Sequence, residues 1–150
     1  MIKIKVKKLS KTAVMPRRMH IGDAGFDLTS ASCKIDKEHN LAEVHGTGLA
    51  FEIPDGYAMF IFPRSSAYKN QALMSNCVGV IDSNYRGEVH VIFTKPTEYI
   101  VGDRIAQAVI LPYPQVEYVE VDELQESERG TNGLGSTGKW ARTRYNTMRS

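Results

Sequence analysis

Short apolar segments, separated by turn-forming residues, make up most of this chain up to residue 121. Residues 2–6 and 89–94 alternate between apolar and polar side chains, whereas residues 57–62 and 105–111 are almost continuously apolar and end immediately before a proline. Alternation is typical of a β-strand with one exposed face, and a short continuous apolar run is typical of a strand buried on both faces. These segments, together with a further predicted strand at 116–121, indicate a sheet protein.

Helical periodicity is nearly absent from the chain. Only residues 66–74 suggest a short helix, and no segment of twelve or more residues repeats its apolar positions with a helical period. The 150 residues have the length of one domain and can bury a core without disulfides or metals. We therefore predict an all-β barrel or sandwich.

The chain changes character at Arg129, where the sequence RGTNGLGSTG brings together four of the twelve glycines. Glycine-rich segments bury little side-chain surface and remain flexible. We therefore predict a β-domain at 1–128, followed at 129–150 by a mobile arm with a basic tail. This tail is either a solvated end of the chain or a contact to phosphates or to a neighbouring subunit.

Charge and composition argue against several kinds of partner. The net charge is +2, but residues 139–150 carry four bases and no acid. Residues 1–138 therefore have a net charge of −2, which argues against a nucleic-acid-binding surface on this part of the chain. Neither an apolar run of eighteen residues nor an apolar signal segment is present, so we expect no membrane span and no export. The two cysteines, Cys33 and Cys77, are too few for a disulfide framework, and they do not have the spacing to histidines that is typical of zinc sites. This cysteine usage favours a soluble, cytoplasmic protein.

Two blocks place acids beside turns. In residues 76–87 an apolar segment leads Asp82 into a turn, where its carboxylate is either a general base toward water or a turn residue. In residues 23–28 the acids Asp23 and Asp27 are four positions apart. On one strand they would share a face and hold a hard cation, directly or through water; a structural turn with a salt bridge is the alternative.

Three further blocks carry groups suited to phosphate. Residues 63–66, PRSS, place an arginine and two serines where they either bind an anion or cap the following helix. Gln107 lies on an apolar strand and needs hydrogen-bond partners, which a phosphate oxygen or the backbone would supply equally well. The arm adds Arg129 and hydroxyl groups to its glycines, although such a composition is also that of a flexible linker.

Taken together, the blocks resemble the motifs of the trimeric dUTPases (deoxyuridine triphosphate nucleotidohydrolases). The chain reads, in order, AGFDL at 24–28, PRSS at 63–66, GVIDSNYRG at 79–87, GDRIAQ at 102–107 and RGTNGLGSTG at 129–138. The resemblance implies an antiparallel, jelly-roll-like, distorted β-barrel with a flexible C-terminal arm, assembled as a homotrimer with shared active sites. It also implies hydrolysis of dUTP to dUMP and pyrophosphate with Mg²⁺, by attack of water on the α-phosphorus. This reaction lowers dUTP and supplies dUMP for thymidylate synthesis.

The resemblance also assigns roles to individual residues. Asp82 matches the acid that orients and deprotonates the attacking water, and Tyr85 matches the ring under the deoxyribose. Asp27, joined by Asp23, matches the acid that holds metal-bound water rather than the metal itself. The remaining matches are Asn76, Val80, Ile81 and His90 at the uracil edge, Arg64, Ser65, Ser66 and Gln107 at the triphosphate, and Arg129, Leu134, Gly135, Ser136 and Thr137 in the closing arm.

Two positions depart from the pattern of the family. Ser66 replaces the usual glycine of the second block, which keeps a small residue there. Leu134 stands where the family usually has a phenylalanine that stacks on uracil, and leucine has no π face. We expect Leu134 alone to cover the base, with Trp140 and Phe93 as the aromatic alternatives.

Two other functions share parts of this pattern. The dCTP deaminases share the RSS block and the hairpin, but their hairpin continues into Thr-Leu-Glu, whose glutamate carries out deamination. Here the corresponding strand is His90-Val91-Ile92, without a carboxylate. A catalytically inactive trimer that binds nucleotides or proteins is the third possibility, and the presence of Asp82 and Tyr85 argues against it.

Overall fold

Three antiparallel sheets make up the computed structural model, which describes residues 1–39 and 42–133. β1 pairs with β5, the order β2-β9-β6-β7 forms a four-stranded sheet, and β3-β4-β8 forms a three-stranded sheet. The all-β, antiparallel prediction is therefore confirmed. The strands are β1 (Lys5–Lys8), β2 (Phe26–Thr29), β3 (Ser32–Asp36), β4 (Ala42–Gly46), β5 (Leu49–Glu52), β6 (Tyr57–Phe62), β7 (Gly79–Ile81), β8 (His90–Phe93) and β9 (Arg104–Pro112).

All of these strands belong to one compact unit, Met1–Gln115, and the chain from Val116 onward is a separate unit. The described part of the second unit, residues 116–133, contains neither a strand nor a helix. In the described residues of the whole chain, no helix combines the length and apolar character needed to cross a bilayer.

Three of the predicted elements differ from the observed ones. The strand predicted at 116–121 does not form: Val116 is 67% exposed and Tyr118 is 96% exposed. Alternating side chains alone do not make a strand, because the backbone also needs a neighbouring strand to pair with. The first strand begins at Lys5 rather than at residue 2.

The third difference is the short helix. A 3₁₀ helix covers Ser65–Asn70 instead of the predicted 66–74, and Gln71 ends it with a φ of 50°. None of its residues is buried. A helix without a buried face gains little from packing, and a short 3₁₀ turn is the usual result.

The core lies between the sheets and is built from the apolar side chains that the sequence pattern marks. In β6, predicted to be buried, Ala58, Met59 and Ile61 are buried. The largest apolar side chains with less than 2% exposure are Leu28, Leu49, Ile61, Val89, Val91, Phe93 and Ile105.

Phe93 is a core residue rather than a cover for a ligand. Its ring is 1% exposed and lies 5.4 Å from the ring of Tyr99 and 5.7 Å from that of His45. A side chain enclosed in this way cannot stack on a bound base. The alternative in which Phe93 covers uracil is therefore wrong.

Replacing Phe93 by alanine should lower the free energy of unfolding by about 3–5 kcal/mol, because the change leaves a cavity among close-packed rings. Urea unfolding at a fixed protein concentration measures this loss. Tyr68, which is 77% exposed, provides the control: Tyr68→Ala should change the free energy by less than about 0.5 kcal/mol. Similar losses for the two variants would show that Phe93 is not a core residue.

Candidate active site

A small cavity opens at a hairpin of residues 73–94, in which the segment before β7 pairs with β8. β7 pairs with β6, Ile81 lying opposite Met59, and then delivers the chain into a turn at Asp82. The cavity has a volume of about 270 Å³. It gathers all six residues that the resemblance assigns to catalysis, uracil and sugar, and adds two more: it is lined by Asn76, Val80, Ile81, Asp82, Tyr85, Glu88, Val89 and His90.

The side chain of Asn76 ties the two arms of this hairpin together. Its Nδ2 donates to the backbone oxygen of His90 (3.1 Å), and its Oδ1 accepts from the backbone nitrogen of Ile92 (3.1 Å). Both polar ends of the amide therefore have backbone partners before any ligand binds. Asn76 fixes the spacing between the approach to β7 and β8.

Asp82 and Tyr85 occupy the turn that closes the hairpin. Asp82 is exposed, and among the described residues its carboxylate has no hydrogen-bond or ion-pair partner. The Tyr85 hydroxyl donates to the backbone oxygen of Glu88 (3.1 Å), which holds the ring across the turn. The acid is therefore available for chemistry, whereas the hydroxyl of the ring already has a backbone partner.

A second, larger cavity of about 540 Å³ is polar and contains both signs of charge. Four parts of the chain line this cavity: the loop before β2, β2 itself, the segment after β6, and β9. The lining residues are Arg17, Met19, His20, Asp23, Ala24, Gly25, Asp27, Arg64, Ser65, Arg104 and Gln107.

Asp27 holds two of the arginines of this cavity. Its Oδ1 accepts from Arg64 Nε and its Oδ2 from Arg104 Nη1, each at 2.9 Å, and its side chain is only 15% exposed. Arg104 was not among the predicted site residues, although it lies inside the GDRIAQ block that carried the resemblance. A carboxylate between two guanidinium groups leaves the three side chains with a net positive charge, which suits an anion.

Asp23 and Asp27 do not share a strand face, so that expectation is wrong. β2 begins at Phe26, and Asp23 lies in the preceding turn, where its carboxylate accepts from the backbone nitrogen of His20 (2.8 Å). Both acids nevertheless line the same polar cavity.

The two serines of PRSS do not cap the 3₁₀ helix. Its N-cap residue is Arg64, in an extended conformation and without a side-chain cap. Ser65 lines the polar cavity, and the Ser66 hydroxyl accepts a long hydrogen bond from Arg64 Nη1 (3.4 Å). The capping alternative is therefore wrong, and Ser65 remains available to a ligand.

Gln107 finds its partner in the backbone. Its Nε2 donates to the carbonyl oxygen of Pro63 (2.9 Å), which anchors the start of PRSS to β9. Its Oε1 faces Gly25 so closely that a Cβ at position 25 would lie 2.7 Å from it. A side chain at position 25 would therefore have to displace the end of the Gln107 side chain.

The two cavities lie toward opposite ends of β6. Ile81 is opposite Met59, whereas Gln107 is opposite Phe62, and these positions on β6 are about 10 Å apart at the usual rise per residue. Beyond Ile81, the chain at Asp82 runs further away from Phe62. Beyond Phe62, the chain at Arg64 runs further away from Met59. One chain therefore does not bring the predicted base and the predicted phosphate ligands to the same place.

Most of the arm, residues 134–150, lies outside the residues that the structure describes. Arg129 donates from Nε to the backbone oxygen of Asn132 (3.0 Å), within the arm itself. Leu134, Gly135, Ser136, Thr137 and Trp140 lie outside the described residues.

Comparison with known proteins points to one family. A family model described as dUTPase matches residues 11–138. A deoxyuridine 5′-triphosphate nucleotidohydrolase from Nautilia profundicola is 46% identical over 143 residues, covering 92% of this chain and 100% of that protein. A protein of the same name from Thermobifida fusca is 41% identical, covering 91% of this chain and 79% of its own length.

Solved structures give the same result. The dUTPase of Staphylococcus bacteriophage 80alpha, determined with dUpNHpp, superimposes with a TM-score of 0.77 at 30% identity, over 91% of this chain and 99% of that one. A mutant dUTPase from phage phi11 of S. aureus, described for its coordination of a structural Mg(II) ion, has a TM-score of 0.67 at 26% identity, over 81% and 97% of the two chains.

Replacing Asn76 by alanine should lower the free energy of unfolding by about 1–3 kcal/mol, because it leaves two partly buried backbone groups without partners. Thermal or urea unfolding measures the loss. Asn84 is exposed in the same hairpin, and Asn84→Ala should stay within about 0.5 kcal/mol of the parent protein. The cross-strand role of Asn76 is excluded if its variant is as stable as the Asn84 variant.

Proposed function

The chain belongs to the dUTPase family and hydrolyses dUTP to dUMP and pyrophosphate, and we propose that Asp82 is the base that drives this reaction. The observation that carries the proposal is the position of Asp82: it stands at the mouth of the hairpin cavity, exposed and without a partner among the described residues. A water molecule between this carboxylate and the α-phosphorus gives up its proton to Asp82 as its oxygen attacks, and pyrophosphate leaves from the opposite side.

The uracil ring is proposed to bind against the backbone of Val80, Ile81 and His90. Among the strands of residues 1–39 and 42–133, β7 is the last of its sheet, so alternate backbone groups point away from β6, on the side where a ligand can pair with them. Fixed donors and acceptors of this kind accept the O4 and N3–H pattern of uracil and mismatch the amino group of cytosine. Asn76 supports this role indirectly, because it holds the hairpin arms in register.

Tyr85 is proposed to lie under the deoxyribose. The hydrogen bond from its hydroxyl to Glu88 prevents the ring from turning away. A ring held flat against the sugar leaves no space for a 2′-hydroxyl, so the site selects a deoxynucleotide.

The polar cavity is proposed to bind the triphosphate. Ser65 contributes a hydroxyl without a hydrogen-bond partner among the described residues, and Arg64 contributes an oriented guanidinium whose Nη1 already reaches Ser66 and the backbone of Arg104. Gln107 supports the cavity by holding Pro63, and its second Nε2 hydrogen is available to a phosphate oxygen.

Magnesium fits this cavity through water rather than by direct coordination at Asp27. Both carboxylate oxygens of Asp27 already hold arginines at 2.9 Å, and Asp23 accepts one backbone hydrogen bond. Mg²⁺ keeps several waters and is usually shared between carboxylates and substrate phosphates, so Asp27 and Asp23 would receive its bound waters. When bound, the ion neutralises charge on the phosphates.

A homotrimer with shared active sites is the proposed assembly. The separation of Asp82 from Arg64 along β6 supports it, because a second copy would place the polar cavity of one subunit beside the hairpin of another. The arm is proposed to close over the nucleotide, with Leu134 covering the base. Its contributing residues are Arg129, Leu134, Gly135, Ser136 and Thr137.

We also propose a cytoplasmic location, to which the free thiols of Cys33 and Cys77 are suited.

Replacing Asp82 by asparagine should lower turnover of dUTP by about 10²–10⁴-fold while dUTP binding stays close to normal, because the amide keeps the shape but accepts no proton. Pyrophosphate release measures turnover, and titration with a non-hydrolysable dUTP analogue measures binding. Asp122→Asn, at an exposed acid of the second unit, should leave both unchanged. Near-normal turnover of the Asp82 variant would remove this residue from the mechanism.

Mixing two inactive variants tests whether the site is shared. Asp82→Asn and Arg64→Ala should each be inactive alone, but refolding them together should restore activity in about a quarter of the sites, if each site takes these two residues from different copies. Turnover of dUTP is measured before and after mixing, with each variant shown to be folded by circular dichroism. No gain on mixing would place both residues in the site of a single chain.

A further inference from the structure

A cluster of three potential metal ligands lies on one face of the β3–β4 hairpin, apart from both cavities. Cys33 of β3 is directly opposite His45 of β4, and Glu43 precedes His45 by two positions on the same strand. Residues two apart on a strand share a face, so all three side chains meet. Within the described part of the chain, this is the only group of at least three His, Cys, Asp or Glu residues whose ligand atoms lie within 4.8 Å of one another.

The potential ligand atoms lie at separations close to those of a tetrahedral zinc site. Cys33 Sγ lies 3.8 Å from His45 Nε2, and Glu43 approaches these two atoms through different oxygens: Oε1 lies 3.4 Å from Cys33 Sγ and Oε2 lies 3.3 Å from His45 Nε2. Ligands bound tetrahedrally to zinc at about 2.0–2.3 Å are separated from one another by about 3.3–3.6 Å. To bind one ion, Glu43 therefore has to turn one oxygen toward both partners or bind through both oxygens.

Outer partners orient two of the three ligands. The Ser30 hydroxyl lies 2.8 Å from His45 Nδ1 and 3.2 Å from the Ser32 carbonyl oxygen. In the tautomer that metal binding requires, Nδ1–H donates to the Ser30 oxygen and the lone pair of Nε2 faces the cluster. The backbone nitrogen of Thr97 donates to Glu43 Oε2 (2.8 Å) and holds that carboxylate in the same place.

We propose that Cys33, Glu43 and His45 bind a zinc ion, with a water molecule or a small ligand in the fourth position. A thiolate and a carboxylate balance the charge of a divalent cation, and sulfur and imidazole favour zinc over magnesium. His45 and Glu43 are buried, whereas Cys33 is exposed, so the ion enters from the Cys33 side.

Protons hold the same cluster together when no metal is bound. Burial, together with the hydrogen bond to Glu43 and the charge of Glu43, raises the pKa of the Cys33 thiol, so its S–H donates to the carboxylate. When zinc binds, the thiol proton leaves to solvent and a sulfur–zinc bond replaces the hydrogen bond. The ion then cross-links β3 to β4, and β4 is paired in turn with β8.

Cobalt titration of the full chain, without nucleotide, tests the site. Co²⁺ bound to a thiolate shows a charge-transfer band in the near ultraviolet, and we expect this band to saturate at one ion per chain. Zn²⁺ should abolish the band by displacing cobalt, whereas excess Mg²⁺ should leave it unchanged because the site contains sulfur.

Variants of the two cysteines make the test specific. Cys33→Ser should abolish the band and weaken zinc binding by at least about 100-fold, because outer partners alone contribute about 10–100-fold. Cys77→Ser removes the other exposed free thiol and should keep both properties. Ser30→Ala should weaken zinc binding about tenfold while keeping the band, because it removes only the partner of His45.

Three results would overturn the proposal: no cobalt band with wild-type protein, a band that persists in Cys33→Ser, or a band lost in Cys77→Ser.

If Cys33→Ser fails to fold, thiol modification of the wild-type protein replaces it. Zinc should then slow alkylation of Cys33, identified by peptide mapping, and leave the rate at Cys77 unchanged. Equal rates at both cysteines with and without zinc would equally exclude the site.

Discussion

The carboxylate of Asp27 organises the polar end of the fold. Its two oxygens hold Arg64 and Arg104, which come from the segment after β6 and from the start of β9. Three parts of the chain that are distant in sequence are thereby fixed at one end of the four-stranded sheet. Because one negative charge faces two positive ones, the cavity keeps an excess positive charge without exposing either guanidinium group fully. The proposed triphosphate site is built on this arrangement.

Short blocks of sequence predicted which residues line the two cavities, because each block is contiguous and lies at the beginning or the end of a strand. Asp82 follows β7 directly and Arg64 follows β6 closely, so local sequence alone decides where they emerge. The partners of each side chain were not predictable in this way. Gln107 bonds to the Pro63 carbonyl and Asn76 bridges backbone groups, because buried amides take the nearest backbone partner, and tertiary structure decides which one that is.

The errors in the fold have a related cause. Residues 57–62 and 116–121 both have strand-like sequences, but only the first has neighbours on both sides to pair with. Strand pairing also explains why the zinc cluster was missed: the spacing between Cys33 and His45 matches no metal-binding motif, and only the β3–β4 register places them opposite each other. Periodicity describes one segment at a time, whereas pairing depends on two.

The two proposed metal sites differ in what their donors already bind. Zinc binds most oxygen and nitrogen sites more tightly than magnesium does, so a nucleotide site that needs magnesium must limit direct coordination. Asp27 meets this need because both of its oxygens are held by arginines, which leaves room for hydrated Mg²⁺ and disfavours an ion that sheds its water. The Cys33 cluster presents the opposite chemistry, since a sulfur and an imidazole nitrogen offer little to magnesium. In these two proposals, donor type separates the two ions.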